Sequence, residues 1–136
     1  NVTTLPIDTV DQHLGTADHV VNILPAGAST AGFFDAARLS RMKPGSTLYN
    51  IGRGDTVDQA ALLQALDRGA PAAAYLDVTT PEPLPSDHPL WTHPSVHITP
   101  HTAGGFIGEH DALLDHFTDN LDRYLIGTKL VDVVAP

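Results

Sequence analysis

Ser46-Thr47-Leu48-Tyr49-Asn50-Ile51-Gly52-Arg53-Gly54, followed at once by Asp55-Thr56-Val57-Asp58 and by Ala61-Leu62-Leu63-Gln64-Ala65-Leu66, is the stretch that decides the fold. Residues 46–51 form a short apolar run closed by Gly52, which reads as a strand and a turn. Asp58 is a good helix cap, and Ala61, Leu62, Ala65 and Leu66 recur on one helical face until Gly69 stops it. Residues 72–78 then give a second strand, apolar on both faces, as suits a strand covered by helices on both sides. Strand, helix and strand in this order predict a parallel α/β unit.

The pattern extends in both directions. Upstream, His19-Val20-Val21-Asn22-Ile23-Leu24 reads as a strand stopped by Pro25 and Gly27. Residues 30–42, with Phe33, Phe34, Ala37 and Leu39 on one face, predict a helix ending before Pro44-Gly45. Residues 7–14 predict a shorter helix entered through Asp8 or Thr9. Downstream, residues 81–94 form a Pro-rich loop carrying Trp91, and residues 96–99 a last short strand. A long helix is expected from Gly105 to about Ile126, striped by Ile107, Leu113, Leu114, Phe117, Leu121, Tyr124 and Leu125. Gly127 ends it, and an apolar tail over residues 130–134 follows.

Composition bounds the function. At 136 residues, with 42% hydrophobic, the chain suits one modest domain burying roughly two-thirds of its unfolded surface. A net charge of −9 argues against non-specific binding to nucleic acid or an anionic membrane, while leaving room for a small anion held by a local arginine. There is no cysteine, hence no disulfide or thiolate chemistry, and no apolar run near a membrane span. The cytoplasm is the expected compartment. The first residue is Asn1 rather than Met, which suggests a processed chain or a piece of a longer one.

Three polar clusters follow strand-like runs: Asn50-Ile51-Gly52-Arg53-Gly54, Asp77-Val78-Thr79-Thr80-Pro81-Glu82-Pro83 and Thr99-Pro100-His101. In an open α/β sheet such loops converge on one crevice beyond the carboxyl ends of the strands. Arg53 offers a planar fork for a carboxylate, and Gly52 and Gly54 would let a ligand approach the backbone closely. A lone arginine in a turn is ordinarily a surface residue; the flanking glycines favour the site. Asp77, at the end of an apolar strand, needs a partner to offset its burial. Glu82 between two prolines has a fixed backbone, though an acid in such a loop is as often simply solvated. His101 titrates near neutrality and can move a proton, with a carboxylate at its other ring nitrogen fixing the tautomer. Trp91 serves equally well as a substrate contact or as an anchor for its loop. His88, His93, His97 and His101 are loosely periodic, but Pro residues break any shared face, so no metal site is expected.

Taken together, these residues resemble the D-isomer-specific 2-hydroxyacid dehydrogenases, nearest to glyoxylate/hydroxypyruvate reductase-like members. The resemblance runs from about Asp18 to Gly105. It rests on Leu24-Pro25 with Thr30, Met42-Lys43-Pro44-Gly45, Asn50 to Gly54 with Val57-Asp58 and Ala61-Leu62, Leu76-Asp77-Val78, Glu82-Pro83-Leu84-Pro85, Pro89-Leu90-Trp91 and Ile98-Thr99-Pro100-His101. It implies the second half of a doubly wound, Rossmann-like parallel sheet over residues 1–104. Residues 105–136 would then be a long helix and tail returning towards a substrate domain.

The resemblance also implies roles. His101 would be the general acid, Glu82 its partner keeping it protonated, and Arg53 the anchor for a 2-oxoacid carboxylate. NAD or NADP would lie against Leu24, Pro25, Thr30, Ile51, Gly52, Arg53, Asp77, His101 and Gly104, with Asp77 on the nicotinamide carboxamide. Two positions depart from the family pattern: Gly27 stands where a threonine is common, and Thr79 where an aromatic is common. The Gly-x-Gly-x-x-Gly turn of a dinucleotide fold is absent, since Gly104, Gly105 and Gly108 have another spacing. An incomplete site follows: the chain by itself should bind cofactor weakly and turn over poorly, and the complete enzyme should be a homodimer. The alternative on the same fold is a cofactor-sensing interaction protein without turnover; a metal hydrolase is more distant.

Overall fold

The computed structural model describes residues 2–133, in two compact units, one ending at Ala103 and the other beginning at Gly104. The first unit is built on a four-stranded, wholly parallel sheet, β1 (His19–Asn22), β2 (Thr47–Asn50), β3 (Ala73–Leu76) and β4 (Val96–Ile98), in that spatial order. Helices α1 (Ala36–Arg41) and α2 (Gln59–Asp67) make the first two crossovers. Consecutive parallel strands in consecutive positions form half of a doubly wound sheet, as the sequence predicts.

Register decides which side chains are buried. Asn22, Asn50, Leu76 and Ile98 stand opposite one another, as do Val20, Leu48, Ala74 and Val96. Both rows lie on one face, because side chains two residues apart share a side. That face packs with Leu39 of α1 and with Leu62, Ala65 and Leu66 of α2 into a single core that also takes in Phe34, Met42, Leu84 and Leu90. The opposite face carries a stacked row in which the Tyr49 and Tyr75 rings are 5.2 Å apart and Tyr75 and His97 are 4.5 Å apart. Tyr75 and Val21 remain exposed. The apolar runs thus predict cover on both faces, whereas the first unit covers one.

Asp58 caps α2 as expected, accepting from the Ala61 amide at 2.9 Å, and Gly69 follows the helix in a left-handed conformation. Leu62 is fully buried at the centre of the α2 face. Leu62→Ala is expected to lower unfolding stability by about 2–5 kcal/mol, read from urea denaturation, through lost burial plus the cavity left behind.

Three elements differ from the sequence reading. The helix expected over residues 30–42 is confined to Ala36–Arg41. Phe34 instead pairs in parallel with Val57, donating to the Thr56 carbonyl and accepting from the Asp58 amide. Gly32 turns left-handed just before it, and Asp35 caps α1 through the Arg38 amide. The first helix is a 3-10 turn, Ile7–Gln12, entered at Pro6, with Asp8 and Thr9 inside it rather than capping it. In the second unit, α3 spans Glu109–Leu125, starting beyond Gly105 because Gly108 is left-handed. Gly127 ends it as expected. Its apolar stripe buries nothing within that unit. The last residue of the expected apolar tail, position 134, lies outside the described residues.

Candidate active site

The chemistry gathers beyond the carboxyl ends of β2, β3 and β4. Asp77 directly follows β3 and is 5% exposed. Its Oδ1 accepts from the Thr99 hydroxyl at 2.5 Å and the Thr102 amide at 2.9 Å, and its Oδ2 from the Ala103 amide at 2.8 Å. One buried carboxylate therefore winds residues 99–103 around itself. Within that loop His101 adopts a left-handed backbone, φ 54°. This conformation costs a residue with a side chain about 1–2 kcal/mol and persists only where its surroundings enforce it.

The winding delivers the imidazole to Glu82, with Nδ1 2.6 Å from Oε1. Glu82 itself is held between Pro81 and Pro83. With the carboxylate accepting from Nδ1–H, Nε2 is the nitrogen left to exchange a proton with a ligand. Asp77, Glu82 and His101 line one cavity of about 450 Å³, walled by Leu84, Trp91 and Ile98. Trp91 lines the cavity and ties its own loop together, its indole N–H donating to the Pro85 carbonyl at 2.9 Å.

Burial pushes the Asp77 carboxyl up, but hydrogen bonds from Thr99, Ala103 and Thr102, with His101 nearby, outweigh it and hold the group below its ordinary 3.8. The loop's stabilisation is thus complete above that value and is lost as pH falls below it, through the lower folded value. Amide exchange at Thr102 and Ala103 is expected to accelerate selectively on acidification below about pH 4. Asp77→Asn should show fast exchange already at neutral pH, because Thr102 and Ala103 donate to different carboxylate oxygens and the side-chain NH2 that replaces one of them cannot accept. Slow exchange in that variant would contradict the clasp.

Arg53 lies on the same edge, one strand across, and does not line the cavity. Its side chain is exposed, one guanidinium nitrogen donates to the Gly52 carbonyl at 2.8 Å, and among the described residues it forms no ion pair. The flanking glycines make room for the chain's own backbone. A Cβ on Gly52 would meet the Leu24 carbonyl at 2.6 Å, and one on Gly54 would overlap the Thr79 carbonyl. The chain's own backbone fills the space, so the Arg53 turn is wedged between the exits of β1 and β3.

Of the remaining expected positions, Leu24 is half-buried while Pro25 is exposed. Thr30 closes that loop, its hydroxyl reaching the Pro25 and Gly27 carbonyls. Ile51 and Ile23 stand exposed at the strand exits. Gly104 opens the second unit. The sequence reading missed Asn22 and Thr56, both buried behind Arg53. The argument applied to Asp77, a polar residue ending an apolar strand, would also have found Asn22.

This fold has close counterparts among known proteins. The family described as D-isomer specific 2-hydroxyacid dehydrogenase, NAD binding domain, matches residues 2–103. The chain belongs to this family. It is 37% identical over 129 residues to a glyoxylate/hydroxypyruvate reductase A of Photorhabdus laumondii, covering 93% of this chain and 41% of that protein. A D-isomer specific 2-hydroxyacid dehydrogenase of Xanthobacter autotrophicus, solved with NADPH and MES, superposes with a TM-score of 0.87 at 35% identity, over 96% of this chain and 53% of that one. An NADPH-dependent glyoxylate/hydroxypyruvate reductase of Sinorhizobium meliloti, solved with NADP and sulfate, gives 0.84 at 32% identity, over 96% and 42%. The chain thus spans about two-fifths to half the length of these relatives.

Proposed function

We propose that the chain supplies the proton donor, the carboxylate anchor and part of the cofactor bed of an NAD(P)-dependent reductase acting on a small 2-oxoacid. The observation that carries this reading is the 2.6 Å pair between His101 Nδ1 and Glu82 Oε1 at a cavity shared with Asp77. Glu82 fixes the ring so that Nε2 faces outward, and His101 then passes its proton to the carbonyl oxygen as that oxygen gains charge. Arg53, exposed and without an ion pair among the described residues, holds the substrate carboxylate through its remaining donors. The local residues suit a nicotinamide ring: Ile23 and Ile51 present exposed apolar surface at the strand exits, and Asp77 Oδ2 accepts a single bond. Leu24, Pro25, Thr30, Gly52 and Gly104 would complete that bed. When bound, the cofactor supplies the hydride; the chain's own groups position the substrate and donate the proton.

Residues 1–104 are assigned to the later half of the nucleotide domain and 105–136 to the helix and tail returning towards a substrate domain. A cytoplasmic homodimer is the proposed whole, as the family resemblance implies.

The test joins the upstream part of the Photorhabdus reductase to this chain and follows NADPH absorbance with glyoxylate and hydroxypyruvate. Turnover by the chimera, against little or none by the 136-residue chain alone, is expected. A folded chimera that binds NADPH yet reduces neither acid would refute the reading.

A further inference from the structure

The row Asn22, Asn50, Leu76, Ile98 faces the helices, and its last two members are apolar. Its two asparagines, each 1% exposed, must therefore answer for their burial. They do so in one network with Thr56, which is fully buried. Asn22 Nδ2 donates to Thr56 Oγ1 at 2.6 Å and to Asn50 Oδ1 at 3.0 Å. The Thr56 hydroxyl donates onward to the Arg53 carbonyl at 2.6 Å, where Asn50 Nδ2 also donates at 3.0 Å. The two side-chain carbonyls take the amides at the strand exits, Asn22 Oδ1 from Leu24 at 3.1 Å and Asn50 Oδ1 from Gly52 at 3.2 Å. Each polar atom of the three side chains has a partner, and the two bonds at the centre converge on one carbonyl. Satisfied buried networks of this kind fix a single geometry.

We infer that Asn22 and Thr56 are positioning residues for Arg53, clamping its carbonyl so that the guanidinium leaves the β2 exit in one direction. The inference deepens the proposed carboxylate anchor and rests on it for its consequence. Thr56 is also held from the far side, since its own carbonyl accepts from the Phe34 amide at 2.9 Å. The clamp thereby ties the arginine turn to β1, β2 and the segment before α1 at once.

The test uses the 136-residue chain and compares Thr56→Val, which removes the hydroxyl at nearly constant shape, with Thr56→Ser, which keeps it. Amide exchange at Gly52 and Thr56 is measured relative to Leu48 and Leu76, and glyoxylate is titrated while the Arg53 Nε–H resonance is followed. With the clamp released, Thr56→Val should speed exchange at the two loop amides about tenfold relative to the strand amides and weaken glyoxylate binding by a similar factor, as expected for one lost hydrogen bond. Thr56→Ser should restore both. Should Thr56→Val not fold, Asn22→Asp serves instead: it keeps the acceptor for Leu24 while losing both donated bonds, and should loosen the same two amides. Loop exchange unchanged in the folded variant, or strand amides accelerating equally, would overturn the inference. Failure of wild-type glyoxylate to shift the Arg53 resonance would sink the carboxylate anchor alone, leaving the exchange comparison to decide the clamp.

Discussion

Replacing His101 by asparagine is expected to slow 2-oxoacid reduction by at least about a hundredfold, the usual contribution of a general acid. Asparagine is the informative choice because the backbone at this position is left-handed, φ 54°, which asparagine tolerates and alanine resists. The loop should therefore keep its shape, with Asp77 still receiving Thr99, Thr102 and Ala103, while the proton donor is gone. The measurement is NADPH oxidation under single-turnover conditions in the chimera, with amide exchange at Thr102 and Ala103 as the structural control. A loss confined to kcat would mark a group acting as charge develops on the carbonyl oxygen. A rate within about threefold of the unsubstituted chimera would remove His101 from the chemistry.

Gly54→Ala should be among the most damaging single substitutions in the chain. The added methyl would coincide with the Thr79 carbonyl, and its nearest neighbours include main-chain atoms that cannot swing aside. Relief requires moving the Arg53 turn away from the exit of β3. Overpacking against side chains costs typically about 1–3 kcal/mol, and a backbone obstacle belongs at or beyond the upper end. Gly104→Ala is the matched control, because nothing lies within 4 Å of its Cβ position and its φ is not positive. Urea unfolding of the two variants should differ by about 3 kcal/mol. Equal stabilities would mean that the turn is not wedged between the strand exits.

Local signals were legible wherever they were strong. The Asp58 cap, the α2 stripe and Gly69 fix one crossover from neighbouring residues alone, because capping and helical periodicity act within a few positions. The 30–42 segment reads as one helix because Phe33, Phe34, Ala37 and Leu39 have helical spacing, whereas the backbone bonds of Phe34 are taken by Thr56 and Asp58, more than twenty residues away, and the helix is confined to Ala36–Arg41. Pairing of that kind outweighs local propensity and leaves no mark in the segment itself.

From its order of residues alone this chain specified a parallel α/β half-sheet, the three clusters ending in Arg53, Glu82 and His101, and membership of its dehydrogenase family, because strand–helix alternation and chemical type are written along the chain. Only the tertiary structure decided that Glu82 and His101 meet at 2.6 Å, that Arg53 stands one strand aside, and that Gly52 and Gly54 accommodate the protein's own backbone. Distances between side chains on different strands follow from register, burial and loop winding, which emerge when the sheet assembles.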